Sequence, residues 1–336
     1  MYSILIADPI ALEGVRILER AGRVRADETI TADALRDAIS NYDALVVRSR
    51  TKVTAQIIDA AKRLRVIGRA GVGLDNIDVD AAKKRNITVV NAPYSVTISV
   101  AEHTLGLMIA LARFVPQADA SLRRGEWTKN KFMGIELQGK TLGIVGLGRI
   151  GSTVAPRAIS MGMRVFAYDP YITRARALNF GAALMDSLDE LLAASDFVSI
   201  HTPLLPTTRG LFSDSEFAQM KPDARLIFCA RGGVVDEAAL LRALESGKLA
   251  GAALDVFETE PPGQNPLLQH PRVIATPHLG AMTHEAQTKA AVEVAAQVIA
   301  ILSRTAGLEV NRDTGKQGNK ETGIQGNIAQ PAYLST

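Results

Sequence analysis

Three polar residues in the C-terminal half stand just beyond apolar runs, where they could handle a proton and a carboxylate. Arg231 follows the run 226–229, and Glu260 and His278 lie in later turns beside prolines. Ligands of open parallel sheets bind beyond the carboxyl ends of the strands, so this placement favours a role in binding or catalysis. Histidine can accept the proton of an alcohol, a carboxylate can orient the imidazole, and arginine can bind a carboxylate through two hydrogen bonds. The set predicts oxidation of an alcohol to a ketone in a small acidic substrate.

The residue types alone leave a plainer interpretation open. Arg231 and Glu260 could be solvent-facing loop residues, and a histidine beside Pro277 is often structural. We predict no metal site.

A glycine pattern earlier in the chain predicts a dinucleotide site. Gly146, Gly148 and Gly151 have the GxGxxG form between a predicted strand and a predicted helix. The first glycine permits a tight turn, the second lets the backbone approach a pyrophosphate, and the third permits close helix–strand packing. An acidic residue is expected about 20 residues further on, and Asp169 stands there. Its carboxylate would bind the ribose hydroxyls and repel a 2′-phosphate, which favours NAD over NADP; a simple glycine turn with an unrelated aspartate is the alternative.

The elements that must position these residues are short apolar runs that alternate with longer helical patterns. Such alternation predicts parallel sheets flanked by helices, here in two successive series. The predicted strands are 4–6, 44–47, 66–67, 87–90, 141–145, 163–168, 197–200, 226–228 and 250–254. The predicted helices include 11–21, 149–161, 286–302 and a long helix over 96–122 that is broken or bent near Pro116.

Length and composition narrow the class of protein. A chain of 336 residues predicts about two domains. The net charge of +3 is too small to indicate nucleic-acid binding. Cys229, the single cysteine, excludes an internal disulfide and suits a reducing compartment. The first residues do not form a signal peptide and no apolar run is long enough to cross a membrane, so we expect a cytoplasmic protein without membrane or nucleic-acid partners.

Residues 311–336 have a different composition. They are rich in Gly, Asn, Gln, Thr and Lys, which predicts a polar, disordered surface tail.

Further segments carry a family likeness that covers roughly residues 3 to 310. They are 47–51, 68–78, 100–104, 131–134, 139–151, 201–204, 230–233, 255–257 with 260–261, and 277–281. In this order they resemble the NAD-dependent D-2-hydroxyacid dehydrogenases. The resemblance implies an α/β fold of two doubly wound parallel-sheet (Rossmann-like) domains with an active site in the interdomain cleft. The substrate-binding domain would be 1–98 plus 285–310, and the NAD-binding domain 99–284.

The resemblance also implies roles for the three polar residues. His278 would accept the hydroxyl proton during oxidation and return it during reduction. Glu260 would orient His278 and favour its charged form. Arg231 would bind the substrate carboxylate and polarise the carbonyl, while the hydride would pass between substrate C2 and the nicotinamide.

The implied cofactor contacts form a larger set. The backbone of Arg149 and Ile150 would meet the pyrophosphate, Asp169 the ribose and Asp255 the carboxamide. Cys229 would act through its carbonyl rather than its thiol. The full set is Val72, Gly146, Gly148, Arg149, Ile150, Gly151, Asp169, Thr202, Cys229, Ala230, Asp255, Gly280 and Ala281.

The implied substrate contacts predict a small phosphorylated hydroxy acid. Arg48 and Arg69, in two loops of the substrate domain, would bind the phosphate. The substrate set is Arg48, Arg69, Gly71, Val72, Gly73 and Arg231. Lys129 or Lys131 could reach in from a second subunit, since the family commonly dimerises through this region, and we expect a homodimer or a higher homo-oligomer.

Two alternatives remain at this point. One is another dehydrogenase of the superfamily, such as a glyoxylate or hydroxypyruvate reductase or a D-lactate-type enzyme. The other is an NAD-sensing binding protein like the corepressors that share the fold. Many relatives carry a regulatory domain after the catalytic core, but only about 26 residues follow Val310, so we expect none here.

Overall fold

The computed structural model describes the backbone of residues 1–313 and the side chains of residues 1–304. It divides into two compact units. The first combines Met1–Val96 with the stretch that begins at His284, and the second is Thr97–Thr283. Of the predicted polar tail, residues 311–313 belong to the last helix, and the remainder lies outside the described residues.

The first unit contains a sheet of five parallel strands in the order β2-β1-β3-β4-β5. Its strands are β1 (Tyr2–Ile6), β2 (Gly22–Ala26), β3 (Ala44–Val47), β4 (Val66–Arg69) and β5 (Thr88–Asn91). Its helices are α1 (Leu12–Glu19), α2 (Ala32–Ala38), α3 (Ala55–Ala60), α4 (Val79–Lys84) and α12 (His284–Asp313). A short 3₁₀ helix, Ile39–Asn41, precedes β3.

The central strands of this sheet are covered on both faces. Leu45 and Val47 point into the core beneath α2 and α3, whereas Val46 points into a second core that includes Val294 and Val298 of α12. All four residues of β3 are buried. Strands with two covered faces need nearly continuous apolar runs, which is why this strand is so clear in the sequence. Each fully buried Val or Leu contributes about 1.5–3 kcal/mol relative to exposure.

The second unit contains a sheet of seven parallel strands in the order β12-β11-β10-β9-β6-β7-β8. Its strands are β6 (Thr141–Val145), β7 (Arg164–Tyr168), β8 (Ala183–Leu184), β9 (Phe197–Ile200), β10 (Ala224–Phe228), β11 (Leu249–Leu254) and β12 (Val273–Ala275). Its helices are α5 (Thr97–Arg113), α6 (Val115–Arg123), α7 (Arg149–Ser160), α8 (Arg174–Leu178), α9 (Leu188–Ala194), α10 (Asp214–Gln219) and α11 (Glu237–Glu245). Lys129–Phe132 and Pro266–Gln269 are 3₁₀ helices.

The predicted long helix over 96–122 is two helices, α5 and α6, at an angle of 62°. The break lies at Phe114, whose φ is 53°, two residues before the proline near which the bend was predicted. Pro116 is tolerated in the first turn of α6, where its missing N–H would have no partner in any case. The break leaves the carbonyl of Ala112 to accept a hydrogen bond from Ile135 N at 3.0 Å.

No single helix in the described part of the chain is long and apolar enough to span a membrane. The bent pair α5 and α6 passes the same test of length and composition jointly. Nine of the 17 residues of α5 are buried, as in the core helix of a globular unit.

The two strand orders confirm the predicted fold class of doubly wound parallel sheets. Numbered within each unit, they read 2-1-3-4-5 and 3-2-1-4-5-6 with one added strand, which are the flavodoxin-like and Rossmann orders. The order reverses between β1 and β3 in the first sheet and between β6 and β9 in the second. Ligands of such sheets bind beyond the strand ends at these switch points.

Candidate functional site

The three predicted catalytic residues follow three adjacent strands of the second sheet. Arg231 comes after β10, Glu260 after β11 and His278 after β12. Since parallel strands all end at the same edge, residues that are 18 to 47 positions apart in sequence share one end of the sheet.

His278 and Glu260 form a direct pair. The distance from His278 Nδ1 to Glu260 Oε2 is 2.8 Å, and the other carboxylate oxygen accepts a hydrogen bond from Phe257 N at 3.1 Å. A carboxylate can only accept, so this contact assigns the proton to Nδ1 and leaves Nε2 as the basic nitrogen of the neutral ring. Both side chains are partly exposed, at 45% and 39%, so the pair is accessible to a small molecule.

Electrostatics within the site keep Glu260 ionised. Burial by itself would raise the pKa of this carboxyl group, but the hydrogen bond to His278 and the nearby charges of His278 and Arg231 hold it below its ordinary value. Arg231, which is half-buried, donates through Nη1 to the carbonyl of Ala230 at 2.7 Å.

The backbone of His278 has an unusual conformation that its surroundings stabilise. Its φ is 54°, in the left-handed region, which costs a non-glycine residue about 1–2 kcal/mol. His278 N donates to the carbonyls of Asp255 and Thr276, at 2.9 and 3.0 Å. The next two amides, Leu279 N and Gly280 N, donate to the Asp255 carboxylate at 2.7 and 2.8 Å. Asp255 therefore holds the turn that presents His278.

Asp255 is itself buried, and both of its carboxylate oxygens accept hydrogen bonds. Besides the two amides, it accepts from Thr276 Oγ1 at 2.5 Å and lies 3.2 Å from His103 Nε2. Burial alone would raise the pKa of Asp255, but these four hydrogen bonds hold it below its ordinary value. Its predicted contact with the nicotinamide carboxamide stays a prediction, because four protein donors already occupy the oxygens.

Sequence reasoning assigned no role to His103 and Thr276. His103 lies on α5 in a segment used only for family likeness, and Thr276 lies at the end of β12. The available signal was a histidine beside buried residues of a largely apolar helix, where a polar side chain needs a partner.

The glycine pattern has the geometry of a dinucleotide loop. Gly146, with φ of 91°, ends β6, and α7 begins at Arg149. The N-cap residue Gly148 supplies no side-chain cap, and the space beside its Cα is open to 4 Å. A β-carbon on Gly151 would lie 2.2 Å from the carbonyl oxygen of Gly146, so only glycine lets the helix approach the strand this closely. The helix N-terminus thus has room for a phosphate at its amides.

Two further residues fit the same ligand. Asp169, directly after β7, accepts from Leu147 N at 2.9 Å and from Tyr171 N at 3.0 Å. Thr202 follows β9 across the switch point, and its Oγ1 is buried without a hydrogen-bond partner among the described residues. A buried hydroxyl without a partner at this position is what a ribose or phosphate oxygen would satisfy. These residues fit a dinucleotide.

Two residues that follow β9 and β10, His201 and Cys229, have pKa values shifted by burial. Burial raises the pKa of the Cys229 thiol to about 12, so the thiol stays protonated and unreactive at neutral pH. Ala230 is also buried. Burial lowers the pKa of His201 to about 4, and its Nε2 lies 2.9 Å from Ser199 Oγ, so the imidazole is neutral at pH 7.

The predicted phosphate ligands lie in the first unit, after β3 and β4. Arg48 is partly buried and donates through Nη1 to the carbonyl of Pro9 at 3.4 Å. The guanidinium of Arg69 packs against Gly71, where a β-carbon would lie 1.6 Å from Nη1. Gly71 N donates to Arg69 O at 2.8 Å, so this amide is already used inside the loop. Val72 accepts at its carbonyl from Asn91 Nδ2 at 2.6 Å.

Lys129 and Lys131 lie on the exposed 3₁₀ helix of the second unit. Within the described residues no group of three or more His, Cys, Asp or Glu side chains could hold a metal ion.

Comparisons with known proteins indicate the same family as the resemblance in the sequence. Residues 105–280 match the family model described as D-isomer specific 2-hydroxyacid dehydrogenase, NAD binding domain, which confirms the predicted cofactor. The D-3-phosphoglycerate dehydrogenases of Methanocaldococcus jannaschii and Bacillus subtilis are 52% and 48% identical over 90% and 89% of this chain. The solved structure of the TT0316 protein from Thermus thermophilus has a TM-score of 0.83 at 34% identity and covers 90% of this chain and 97% of that one.

The matched curated relatives are longer than this chain. The alignments cover 58% of the M. jannaschii protein and 57% of the B. subtilis protein. The chain therefore spans just over half the length of these relatives.

Replacing Asp255 by Asn should weaken the second unit and change its response to acid. A carboxylate whose pKa is lowered in the folded state stabilises that state above its unfolded pKa, about 3.9, and the contribution is lost as the pH falls through the folded value. Thermal unfolding of both proteins between pH 3 and pH 7 measures this. The variant should lose stability at pH 7 and show a flatter decline below pH 4; parallel curves would contradict the assignment.

Proposed function

The chain belongs to the D-isomer specific 2-hydroxyacid dehydrogenase family, and on that premise we propose that it oxidises D-3-phosphoglycerate to 3-phosphohydroxypyruvate with NAD. The observation that carries the proposal is the 2.8 Å pair of His278 and Glu260 at the strand ends, beside Arg231. The name of the two curated relatives described above supports the choice of substrate. The reaction would be the first step of serine biosynthesis.

Proton transfer is the task of His278. Its Nε2 accepts the proton of the substrate C2 hydroxyl during oxidation and returns it during reduction. The Glu260 carboxylate fixes the tautomer through Nδ1 and stabilises the imidazolium that forms. When bound, NAD supplies the acceptor for the hydride that leaves C2.

Arg231 binds the substrate carboxylate and draws electron density from the C2 oxygen. Its guanidinium is planar and always charged, so it can bind a carboxylate through two parallel hydrogen bonds. Its charge also acts on Glu260, which supports a common site for the three residues.

The cofactor would be held by residues at the second switch point. The amides of Arg149 and Ile150, at the start of α7, would bind the pyrophosphate, and Asp169 the adenosine ribose. Thr202 Oγ1 would gain the hydrogen-bond partner that it lacks among the described residues. The remaining proposed contacts are Val72, Gly146, Gly148, Gly151, Cys229, Ala230, Asp255, Gly280 and Ala281.

Phosphate recognition is assigned to Arg48 and Arg69. Burial lowers the pKa of the Arg48 guanidinium, which is the sign of a partly desolvated cation. An anion binds more strongly to a cation that has already lost part of its water. Gly73 and the neighbouring amides of the same loop would face the substrate.

The proposed setting is the cytoplasm, with the chain as a homodimer or higher homo-oligomer. The free thiol of Cys229 suits a reducing compartment. Two large apolar side chains close in sequence to Lys129 and Lys131 are strongly exposed, at 81% for Trp127 and 83% for Met133. Exposed apolar patches mark interaction surfaces, and one here would bring Lys129 or Lys131 to a second subunit.

A substrate panel tests the proposed function. The experiment measures the turnover of four acids by the loss of NADH absorbance: hydroxypyruvate, 3-phosphohydroxypyruvate, glyoxylate and pyruvate. Two arginines on the phosphate at about 1.5–3 kcal/mol each predict a preference of at least about 100-fold in kcat/KM for the phosphorylated acid. Equal turnover of hydroxypyruvate, or no turnover of any acid, would contradict the proposal.

His278→Asn should lower kcat by about 10²–10⁴-fold and leave NADH affinity unchanged, because a proton carrier is lost but no cofactor contact is. Fluorescence titration measures the affinity. His270→Asn is the matched control, since the one hydrogen bond described for the His270 side chain is accepted from Arg272 N in an exposed turn. A parallel loss of NADH affinity would rule out a role confined to proton transfer.

The double variant Trp127→Glu with Met133→Glu should shift the protein from dimer to monomer, since charge opposes burial of the surface. Light scattering gives the mass. Leu178→Glu, at a residue 73% exposed elsewhere in the same unit, is the control and should leave the mass unchanged. An unchanged dimer in the double variant would exclude this surface.

A further inference from the structure

The switch point of the first sheet is built around a buried carboxylate. Asp8 follows β1, and the loop 48–51 follows β3, so the two lie side by side where the strand order reverses. We propose that Asp8 is the positioning residue of phosphate recognition: it sets the backbone of the loop 48–51 and thereby the place of the Arg48 guanidinium. This inference rests on the proposed function.

The Asp8 carboxylate is fully buried, and the hydrogen bonds described for it all come from one loop. It accepts from Arg48 N at 2.6 Å, from Thr51 N at 3.2 Å and from Thr51 Oγ1 at 2.6 Å. Arg50 Nε lies 3.0 Å from Oδ1, the oxygen that also accepts from Thr51 Oγ1. Every contact described for this carboxylate goes to residues 48–51, so its effect is concentrated on that loop.

A second side chain holds the acceptors of the same loop. Asn76 Nδ2 donates to the carbonyls of Arg48 and Thr51, each at 2.7 Å. Asp8 thus binds the donors and Asn76 the acceptors at both ends of the loop. A four-residue loop held in this way has little freedom to move its side chains away from the strand end.

The two arginines of the loop have different tasks. Arg50 is an internal brace, since its guanidinium also donates to the carbonyls of Ala7 and Ile30, at 2.5 and 3.4 Å. Arg48 has its amide on Asp8 and a partly buried side chain at the switch point. The negative charge of Asp8 favours the charged form of Arg48 against the effect of burial. Asp8 therefore acts on Arg48 through both its backbone and its charge.

Recognition of the phosphate depends on the position of the Arg48 guanidinium. Charge-assisted hydrogen bonds between guanidinium and phosphate require the N–H donors to match the phosphate oxygens in direction and distance. A shift of about 1 Å in a positioning group can cost on the order of 10²-fold in rate. Loss of Asp8 should therefore weaken selection of the phosphorylated acid more than it weakens the chemistry at C2.

Asp43 provides a matched control in the same sheet. It is also buried, accepts from Ser3 N at 2.8 Å and pairs with Arg63 at 2.9 Å. It precedes β3, whereas Arg48 follows that strand, so it lies at the opposite end of the sheet. Asp43→Asn removes the same kind of contact, a buried aspartate paired with a half-exposed arginine, without touching the loop 48–51.

The experiment compares Asp8→Asn with Asp43→Asn in the full chain. The readout is the ratio of kcat/KM for 3-phosphohydroxypyruvate to that for hydroxypyruvate, two acids that differ only in the phosphoryl group. Asp8→Asn should lower this ratio by about tenfold, while Asp43→Asn should leave it unchanged. A merely structural role would lower the thermal stability of both variants but leave both ratios alone.

A double-mutant cycle with Arg48→Ala identifies the residue through which Asp8 acts. If Asp8 works through Arg48, then Asp8→Asn should no longer change the ratio in the Arg48→Ala background. Thr51→Val, which removes one hydroxyl donor to Asp8, is the milder variant and should lower the ratio in the same direction. It decides the question if Asp8→Asn does not fold.

The outcomes separate this inference from the proposed function. A wild-type protein that prefers the phosphorylated acid, with an unchanged ratio in Asp8→Asn and Thr51→Val, overturns the role of Asp8 alone. An equal fall in Asp43→Asn also overturns it, because the effect would then be general to the sheet. A wild-type protein without preference for the phosphorylated acid overturns the proposed function and this inference together.

Discussion

Parallel pairing of every strand is the constraint on which the rest of this structure depends. Crossover helices return the chain to the same starting edge, so all strand ends in a unit, and the polar loops after them, share the opposite edge. This alone brings Arg231, Glu260 and His278 to one end of the second sheet, and places Asp8 beside the loop 48–51 in the first.

Both units use the same physical device at that edge. A buried aspartate directly or shortly after a central strand, Asp8 or Asp255, accepts backbone amides from a neighbouring loop. A buried carboxylate is costly unless its oxygens are satisfied, so it strongly favours the one loop conformation that satisfies them. In the second unit Asp255 stabilises the turn in which His278 has its left-handed conformation, so it positions the side chain proposed to carry the proton.

Much of the fold could be predicted because the informative strands are buried on both faces. The run 44–47 is a strand of four buried residues in the structure and stands out in the sequence for that reason. Edge strands such as β2 and β8 carry polar or exposed residues and were missed, since only pairing with a neighbour defines them. The break at Phe114 was placed two residues late, because a proline reveals that a helix must be interrupted but not where its neighbours let it turn.

The sequence by itself determined the fold class, from alternating apolar runs. It also determined the residue types on which the proposed chemistry depends: a glycine pattern with its aspartate, and a histidine with a carboxylate and an arginine. These are local signals, carried by residue types and short spacings. Only the tertiary structure decided which side chains hold the others. The partnership of His103 with Asp255 and that of Asp8 with Arg48 join residues 152 and 40 positions apart, and such contacts exist only once the sheets have formed.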